Sequence, residues 1–245
     1  MNQRRQMLLA LSAFLIYPHC AWSEMDEDLK EVLLKAIQEK NPVLLGHIVP
    51  PPDDPVWLEV DRILANSPRP QVTPYEVASY FTTSIPQKFQ YAWPEPDAAN
   101  PTAANPLIVR FFLSTGTVPE GDTTAWCAAF ANWCLKRANI VGTNSASSQS
   151  FASWGESVWN KGDSELPVTA KRGDIAVFRK RTNPKLGHVA FYVDVDSTQA
   201  NRVRVLGGNQ FQRQNHLWII NTDSLRVNSD LELISIRTKT GLRHT

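Results

Sequence analysis

Hydrophobic residues recur at helical spacing through the first half of the chain, three or four positions apart. This spacing places apolar side chains on one face of a helix and predicts amphipathic helices. The start of one of them is marked by a capping box, Thr73-Pro74-Tyr75-Glu76. The proline-rich stretch over residues 86–106 is predicted to be irregular. The predicted helices cover residues 26–40, 55–65, 73–82, 106–114 and 124–138.

From Arg172 the spacing changes to that of strands. Segments rich in β-branched and aromatic residues alternate with turn residues, as in an antiparallel sheet. Because helices come first and strands follow, the chain is predicted to have an α+β fold, with N-terminal helices packed on an antiparallel sheet. The predicted strands cover residues 174–178, 188–193, 202–206, 216–221 and 231–237.

The N-terminus has the features of a secretory signal peptide. Arg4 and Arg5 precede an apolar stretch from Met7 to Tyr17, and small residues follow at Ala21 and Ser23. We expect cleavage near Ser23 and a mature protein that is periplasmic or secreted. The apolar stretch is too short to cross a bilayer, so no stable membrane anchor is predicted.

Charge and length narrow the class of protein. The 245 residues contain 25 Lys and Arg against 24 Asp and Glu, a formal net charge of +1. Removal of residues 1–23, which contain two Arg and no acid, changes this charge to −1. A chain without a basic surplus is not predicted to bind nucleic acid. The remaining length suits an amphipathic helix and proline-rich linker over residues 24–54, followed by one domain over residues 55–245.

Two cysteines remain after the predicted signal peptide, Cys127 and Cys134. In an exported protein such a pair normally predicts a disulfide. On one helix, however, their spacing separates the two Cα atoms by about 10 Å, which is beyond the reach of about 7 Å for a disulfide. Both thiols are therefore expected to be free, with Cys134 as a small core residue.

Three residues indicate thiol chemistry. Cys127 lies at the start of a predicted helix, where the free N–H groups of the first turn favour a thiolate and lower the pKa of cysteine. His188 begins a predicted strand and can take up the thiol proton and return it to a leaving amine. Asn209 lies on the next strand and can hold the imidazole in the required tautomer. Cysteine, histidine and asparagine in this order are typical of papain-like thiol hydrolases, with the backbone N–H of Cys127 as an oxyanion donor.

Each of the three residues also has an ordinary structural interpretation. Cys127 can be a small buried residue, His188 a strand histidine bonded to a carbonyl, and Asn209 a turn residue beside two glycines. The catalytic interpretation depends on their joint occurrence in the expected order. Trp126 and Trp154 are candidates to line a substrate groove, although core packing is the default for tryptophan. No metal site and no cofactor are predicted, because metal ligands on a helix lie three or four residues apart.

These motifs resemble the CHAP and NlpC group of cysteine, histidine-dependent amidohydrolases and peptidases. The resemblance rests on Trp-Cys-Ala-Ala-Phe at residues 126–130, Gly-His-Val at 187–189 and Leu-Gly-Gly-Asn-Gln at 206–210. It implies a papain-like fold and a CHAP-like thiol hydrolase domain over residues 55–245. Many relatives carry Glu-x-Asn where this chain has Gly-Gly-Asn, and residues 66–104 look like an insertion that covers or shapes the cleft.

The resemblance implies a peptidoglycan hydrolase, either a stem-peptide endopeptidase or an N-acetylmuramoyl-L-alanine amidase, that uses Cys127, His188 and Asn209. Its partners would be peptidoglycan or the peptide fragments of peptidoglycan, and a regulatory protein is a further candidate. Two alternatives stay open. The missing carboxylate and the added N-terminal material fit a catalytically silent wall-binding or partner-binding module on the same fold. Thiol chemistry on a protein substrate would make the chain a processing protease.

Overall fold

Four α-helices precede six β-strands in the part of the chain that the structure describes. The structure is a computed structural model, and it describes residues 50, 54–69, 71–93, 104–117, 119 and 121–243. The predicted signal peptide over residues 1–23 and the helix predicted over residues 26–40 lie outside these ranges. The helices are α1 (Val56–Asn66), α2 (Pro74–Thr83), α3 (Pro106–Phe111) and α4 (Cys127–Arg137). The strands are β1 (Glu156–Asn160), β2 (Ile175–Lys180), β3 (Gly187–Val195), β4 (Arg202–Gln212), β5 (Leu217–Arg226) and β6 (Leu231–Thr238).

The helix starts follow local capping chemistry. In α2 the Thr73 hydroxyl accepts a hydrogen bond from the Glu76 N–H at 3.3 Å, and the Glu76 carboxylate accepts one from the Thr73 N–H at 2.7 Å. This reciprocal pair is the predicted capping box. At the start of α3 the Asn105 side chain accepts a hydrogen bond from the Leu107 N–H at 2.9 Å, and proline occupies the first helical position.

The strands form one antiparallel sheet in the order β1-β6-β2-β3-β4-β5. Five strands lie where the sequence predicts them, and β1, which pairs with β6 at one edge, was not predicted. The prediction of an α+β fold of the papain-like type is confirmed. At the opposite edge, the segment around Tyr91 runs beside β5, where the Ala92 N–H donates to the Trp218 carbonyl at 2.8 Å.

Two hydrophobic cores lie on the two faces of the sheet. On the helical face, α2, α3 and α4 contribute Phe81, Phe111 and Phe130, whose ring centroids are 5.2–5.8 Å apart in edge-to-face contacts. Phe81 belongs to the predicted insertion over residues 66–104, so this segment contributes to the core that holds α4. The other face is covered by the loop between β1 and β2, and its core residues are Trp159, Ala176, Phe178, Ala190, Tyr192, Val203, Val205, Val227, Leu233 and Ile236.

None of the helices in the described residues combines the length and the apolar character that a bilayer span requires.

Candidate active site

Cys127 lies in the first turn of α4, as the sequence predicts, although the helix begins at Cys127 itself and not at Thr124. The residue before it, Trp126, caps the helix without a side-chain hydrogen bond. The N–H groups of the first turn therefore lack a capping side chain, and their partial positive charge is available to an anion. Both Cys127 and Cys134 are free thiols in the interior of the protein, which confirms that no disulfide joins them.

The thiol of Cys127 lies where β3 and β4 separate, next to the backbone of the strand that carries His188. The pairing of these two strands ends at Phe191 and Leu206, before it reaches His188. In the resulting gap, the backbone N–H of Val189 donates to the sulfur of Cys127. The thiol thus lies beside the strand position that follows the histidine. We call residues 187–190 and 207–210 the open end of β3 and β4.

Burial dominates the ionisation of both groups. Cys127 is 3% exposed, and burial raises the pKa of its thiol, although hydrogen bonds from the N–H groups of Val189, Ala128 and Cys127 oppose this change. His188 is 7% exposed, and burial lowers its pKa to about 4, against an opposing influence of the nearby Gln210 side chain. The sequence-based expectation of a lowered thiol pKa is wrong for this structure, because the loss of water outweighs the effect of the helix N-terminus. At neutral pH the pair is a neutral thiol and a neutral imidazole.

Two glycines in β4 allow neighbouring residues to pack closely against both faces of this strand. A Cβ atom on Gly207 would lie 2.8 Å from the Cβ atom of Ala190 and 3.4 Å from His188 Nε2. A Cβ atom on Gly208 would lie 2.3 Å from the indole ring of Trp126 and 3.0 Å from the ring of Phe130. The Gly-Gly pair is therefore required by close packing, with β3 on one side and the start of α4 on the other.

Asn209 lies at a β-bulge in β4. Its φ of 58° is in the left-handed region, which asparagine tolerates better than most residues. Gly207 pairs with Asn221 and Gln210 pairs with Ile219, so three steps along β4 match two steps along β5. In the described part of the chain, no hydrogen bond to the Asn209 side chain is found, and its role as the orienting residue stays a prediction.

Gln210 is a site residue that the sequence analysis did not single out. It is 4% exposed, and its side chain contacts the imidazole of His188. Strict alternation along β4 would place residue 209 on the same face as Gly207 and His188. The extra residue of the bulge moves residue 210 to that face instead. The only local signal for this shift was the Gly-Gly-Asn sequence, which is typical of bulges and of turns alike.

Trp126 and Trp154, the predicted groove residues, are both core residues in the structure. Trp126 is fully buried and packs on Gly208, and Trp154 packs on Phe151 with its N–H donating to the Val141 carbonyl at 3.1 Å. Contact of either residue with a substrate stays a prediction.

A buried carboxylate braces the loop that precedes Cys127. Asp122 accepts hydrogen bonds from the backbone N–H groups of Trp93 and Asn105, both at 2.8 Å. The Asn105 amide in turn donates to the carbonyls of Phe89 and Tyr91, at 3.1 and 2.8 Å. This network joins the loop to α3 and to the segment that runs beside β5. The Asp122 carboxylate thus holds in place the loop that leads to Cys127.

Among the residues that the structure describes, no group of three or more His, Cys, Asp or Glu side chains is arranged to hold a metal ion.

A cysteine at the start of a helix, placed against the strand that carries a histidine in an antiparallel sheet, is typical of the papain-like thiol hydrolases. Residues 119–209 match the family model of the CHAP domain, a family of cysteine, histidine-dependent amidohydrolases and peptidases. This match confirms the resemblance seen in the sequence for that part of the chain. Cys127, His188 and Asn209 all lie within the matched range. No curated protein and no solved structure matches the chain significantly.

Proposed function

We propose that this protein is an exported cysteine hydrolase that cleaves amide bonds in peptidoglycan. The observation that carries this proposal is the contact of the Cys127 thiol with the strand that bears His188, within a CHAP domain. A thiol at a helix start next to an imidazole is the minimal apparatus for acyl transfer. Export rests on the predicted signal peptide. The substrate rests on the amidase and peptidase chemistry of the family.

The proposed reaction uses the neutral pair found at the site. The imidazole of His188 takes the proton of the Cys127 thiol while the sulfur attacks the amide carbonyl carbon. The N–H groups at the start of α4 stabilise the oxyanion of the tetrahedral intermediate. The imidazolium then gives its proton to the leaving amine, the C–N bond breaks, and a thioester remains on Cys127. Water, deprotonated by His188, hydrolyses the thioester and restores the thiol.

The test is digestion of purified peptidoglycan, with new amine ends and fragments followed by mass spectrometry. The wild-type protein should release fragments, and Cys127→Ala should lower the rate by at least about 1,000-fold, because the nucleophile is removed. Cys134→Ala is the matched control, since it removes a buried thiol on the same helix, about two turns away from Cys127. It should keep wild-type activity.

The fragments also identify the bond. A new free amine on a stem-peptide residue indicates an endopeptidase, whereas a free lactyl carboxyl on muramic acid indicates an amidase. Release of peptidoglycan fragments at the same rate by wild type and Cys127→Ala would contradict the proposal. Cleavage of a protein substrate, with peptidoglycan left intact, would support the processing-protease alternative.

One observation favours the second candidate function, a catalytically silent binding module. Cys127 and His188 are both buried, and burial raises the pKa of the thiol. An alkylating probe separates the two functions. An enzyme predicts faster labelling of Cys127 than of Cys134, which is fully buried and has a pKa well above the ordinary value because of burial. Equally slow labelling of both cysteines, together with binding to peptidoglycan, would support the silent module.

A further inference from the structure

Two buried polar atoms at the open end of β3 and β4 have no hydrogen-bond partner. One is Nε2 of His188, and the other is Oε1 of Gln210. The first is a donor when it carries a proton, and the second is an acceptor. Buried polar atoms are nearly always satisfied in native proteins, so an unpaired donor and an unpaired acceptor in one site require an explanation.

The orientation of the Gln210 amide is fixed by its own hydrogen bonds. Its Nε2 group donates to the backbone carbonyl of Asn221 at 2.6 Å and to the side-chain Oδ1 of Asn221 at 2.8 Å. The backbone carbonyl can only accept, so a flipped amide would lose this bond. The Oε1 atom is therefore left as the end of the side chain that faces away from Asn221.

The imidazole of His188 and the Gln210 amide both lie near Gly207. Asn221, which holds the Gln210 amide, is the register partner of Gly207. Gly207 is also the residue against which His188 Nε2 packs, since a Cβ atom there would be 3.4 Å from this nitrogen. The Gln210 side chain interacts with the ring and raises the pKa of His188. The unpaired donor and the unpaired acceptor thus meet beside Gly207.

We propose that Gln210 is the positioning residue of the site and that its Oε1 accepts a hydrogen bond from His188 Nε2–H. The bond fixes the tautomer with the proton on Nε2, so Nδ1 is the basic nitrogen that takes the proton of Cys127. Asn209 then has a backbone role, since its left-handed conformation creates the bulge that brings Gln210 to the ring. This inference rests on the proposed role of His188 as the base.

The test follows the ring of His188 directly, by ¹⁵N NMR of the full chain over a range of pH. The wild-type ring should carry its proton on Nε2. Gln210→Leu removes the acceptor at nearly constant volume, so it should abolish this tautomer preference and lower the pKa of His188. Gln210→Glu keeps an acceptor and adds a negative charge, so it should restore the tautomer and raise the pKa above the wild-type value. Asn209→Gly suits the left-handed backbone and should leave the ring titration unchanged.

Kinetics give a second readout. With peptidoglycan, Gln210→Leu should lower kcat by about 10–100-fold with little change in KM, the usual effect of removing a group that orients a catalytic histidine. Gln210→Glu should recover part of this loss, with the acid limb of the pH profile moved to higher pH. Gln212→Leu is the matched control, because it makes the same substitution on the same strand, two residues away from Gln210. Its activity and ring titration should be those of wild type.

A ring titration that responds to Asn209→Gly and not to the Gln210 variants would overturn the inference, and so would a titration that responds to neither. If Gln210→Leu fails to fold, the Gln210→Glu variant provides the test. A raised pKa of His188 in this variant supports the hydrogen bond, and an unchanged pKa contradicts it. The NMR readout needs no substrate. If the tautomer depends on Gln210 but the protein does not turn over peptidoglycan, the proposed function is contradicted and the hydrogen bond is supported. If the protein turns over peptidoglycan but the tautomer does not depend on Gln210, the hydrogen bond is contradicted and the proposed function is supported.

Discussion

The substitution Gly208→Ala tests whether close packing under β4 holds the nucleophile in place. The added Cβ atom would lie 2.3 Å from Cζ3 and 2.8 Å from Cε3 of Trp126, and 3.0 Å from Cγ of Phe130. Both rings are in the core, with 0% and 1% of their surface exposed. Neither can swing into solvent. An ordinary contact therefore requires that β4 or the start of α4 move by about 1 Å.

The expected magnitude follows from this displacement. Overpacking of a well-packed core costs about 1–3 kcal/mol, which corresponds to a fall in Tm of about 2–12 °C for a domain of this size. Trp126 directly precedes Cys127, so the same shift reaches the nucleophile. A misplacement of about 1 Å at a reacting atom lowers kcat/KM by about 100-fold. The loss of activity at 25 °C should thus be larger than the fraction of protein that the loss of stability unfolds.

The assay is thermal unfolding by circular dichroism together with peptidoglycan turnover. Gly116→Ala is the matched control, because the nearest atom to its added Cβ is 3.8 Å away, an ordinary contact. It should melt close to wild type and keep full activity. In a double-mutant cycle with Trp126→Leu, the cost of Gly208→Ala should shrink, because the clashing ring is absent. A Gly208→Ala variant with wild-type Tm and turnover would refute the reasoning.

Three further predictions concern the hydrogen bonds of Asp122 and the pH dependence of stability and activity. Asp122→Ala leaves two backbone N–H groups without their acceptor and should destabilise the fold by about 2–4 kcal/mol in urea unfolding. Asp163→Ala, which removes an exposed acceptor, should cost less than about 1 kcal/mol. Because burial lowers the pKa of His188 from 6.5 to about 4, the unfolded state binds an extra proton between these values. Stability should therefore fall by about 3 kcal/mol as the pH decreases through this range, and His188→Gln should remove this part of the fall. The acid limb of kcat/KM should lie near pH 4, where the wild-type base becomes protonated; a limb near pH 6.5 would show a solvent-exposed imidazole.

Local signals account for the elements that the sequence predicted well. The capping box at Thr73 and the Asn105-Pro106 start of α3 are formed by residues close together in the chain, and both appear in the structure. Strand β1 was missed because its pairing depends on β6, far away in the sequence. The strand periodicity was recognised over residues 202–206 only, yet β4 continues to Gln212, because the two glycines allow close packing against β3 and α4.

The site shows the same division between local and long-range information. The position of Cys127 at the start of a helix and of His188 at the start of a strand followed from periodicity. The direction of the pKa shift of the Cys127 thiol could not be predicted from the sequence, because burial depends on what packs over the sulfur. The face reached by Gln210 depends on one extra residue in the bulge, and a single positive φ decides it.

The neutral pair has a consequence for how the thiol is controlled. Burial raises the pKa of the Cys127 thiol and lowers that of His188, so both changes disfavour a thiolate and imidazolium pair at rest. A thiolate is the form that oxidants and alkylating agents attack. In an oxidising compartment, a buried neutral thiol would survive until a substrate carbonyl accepts the sulfur as the proton leaves. The same burial that argues for a silent module therefore also protects a working nucleophile, so the labelling rate of Cys127 relative to Cys134 has to be judged together with peptidoglycan turnover.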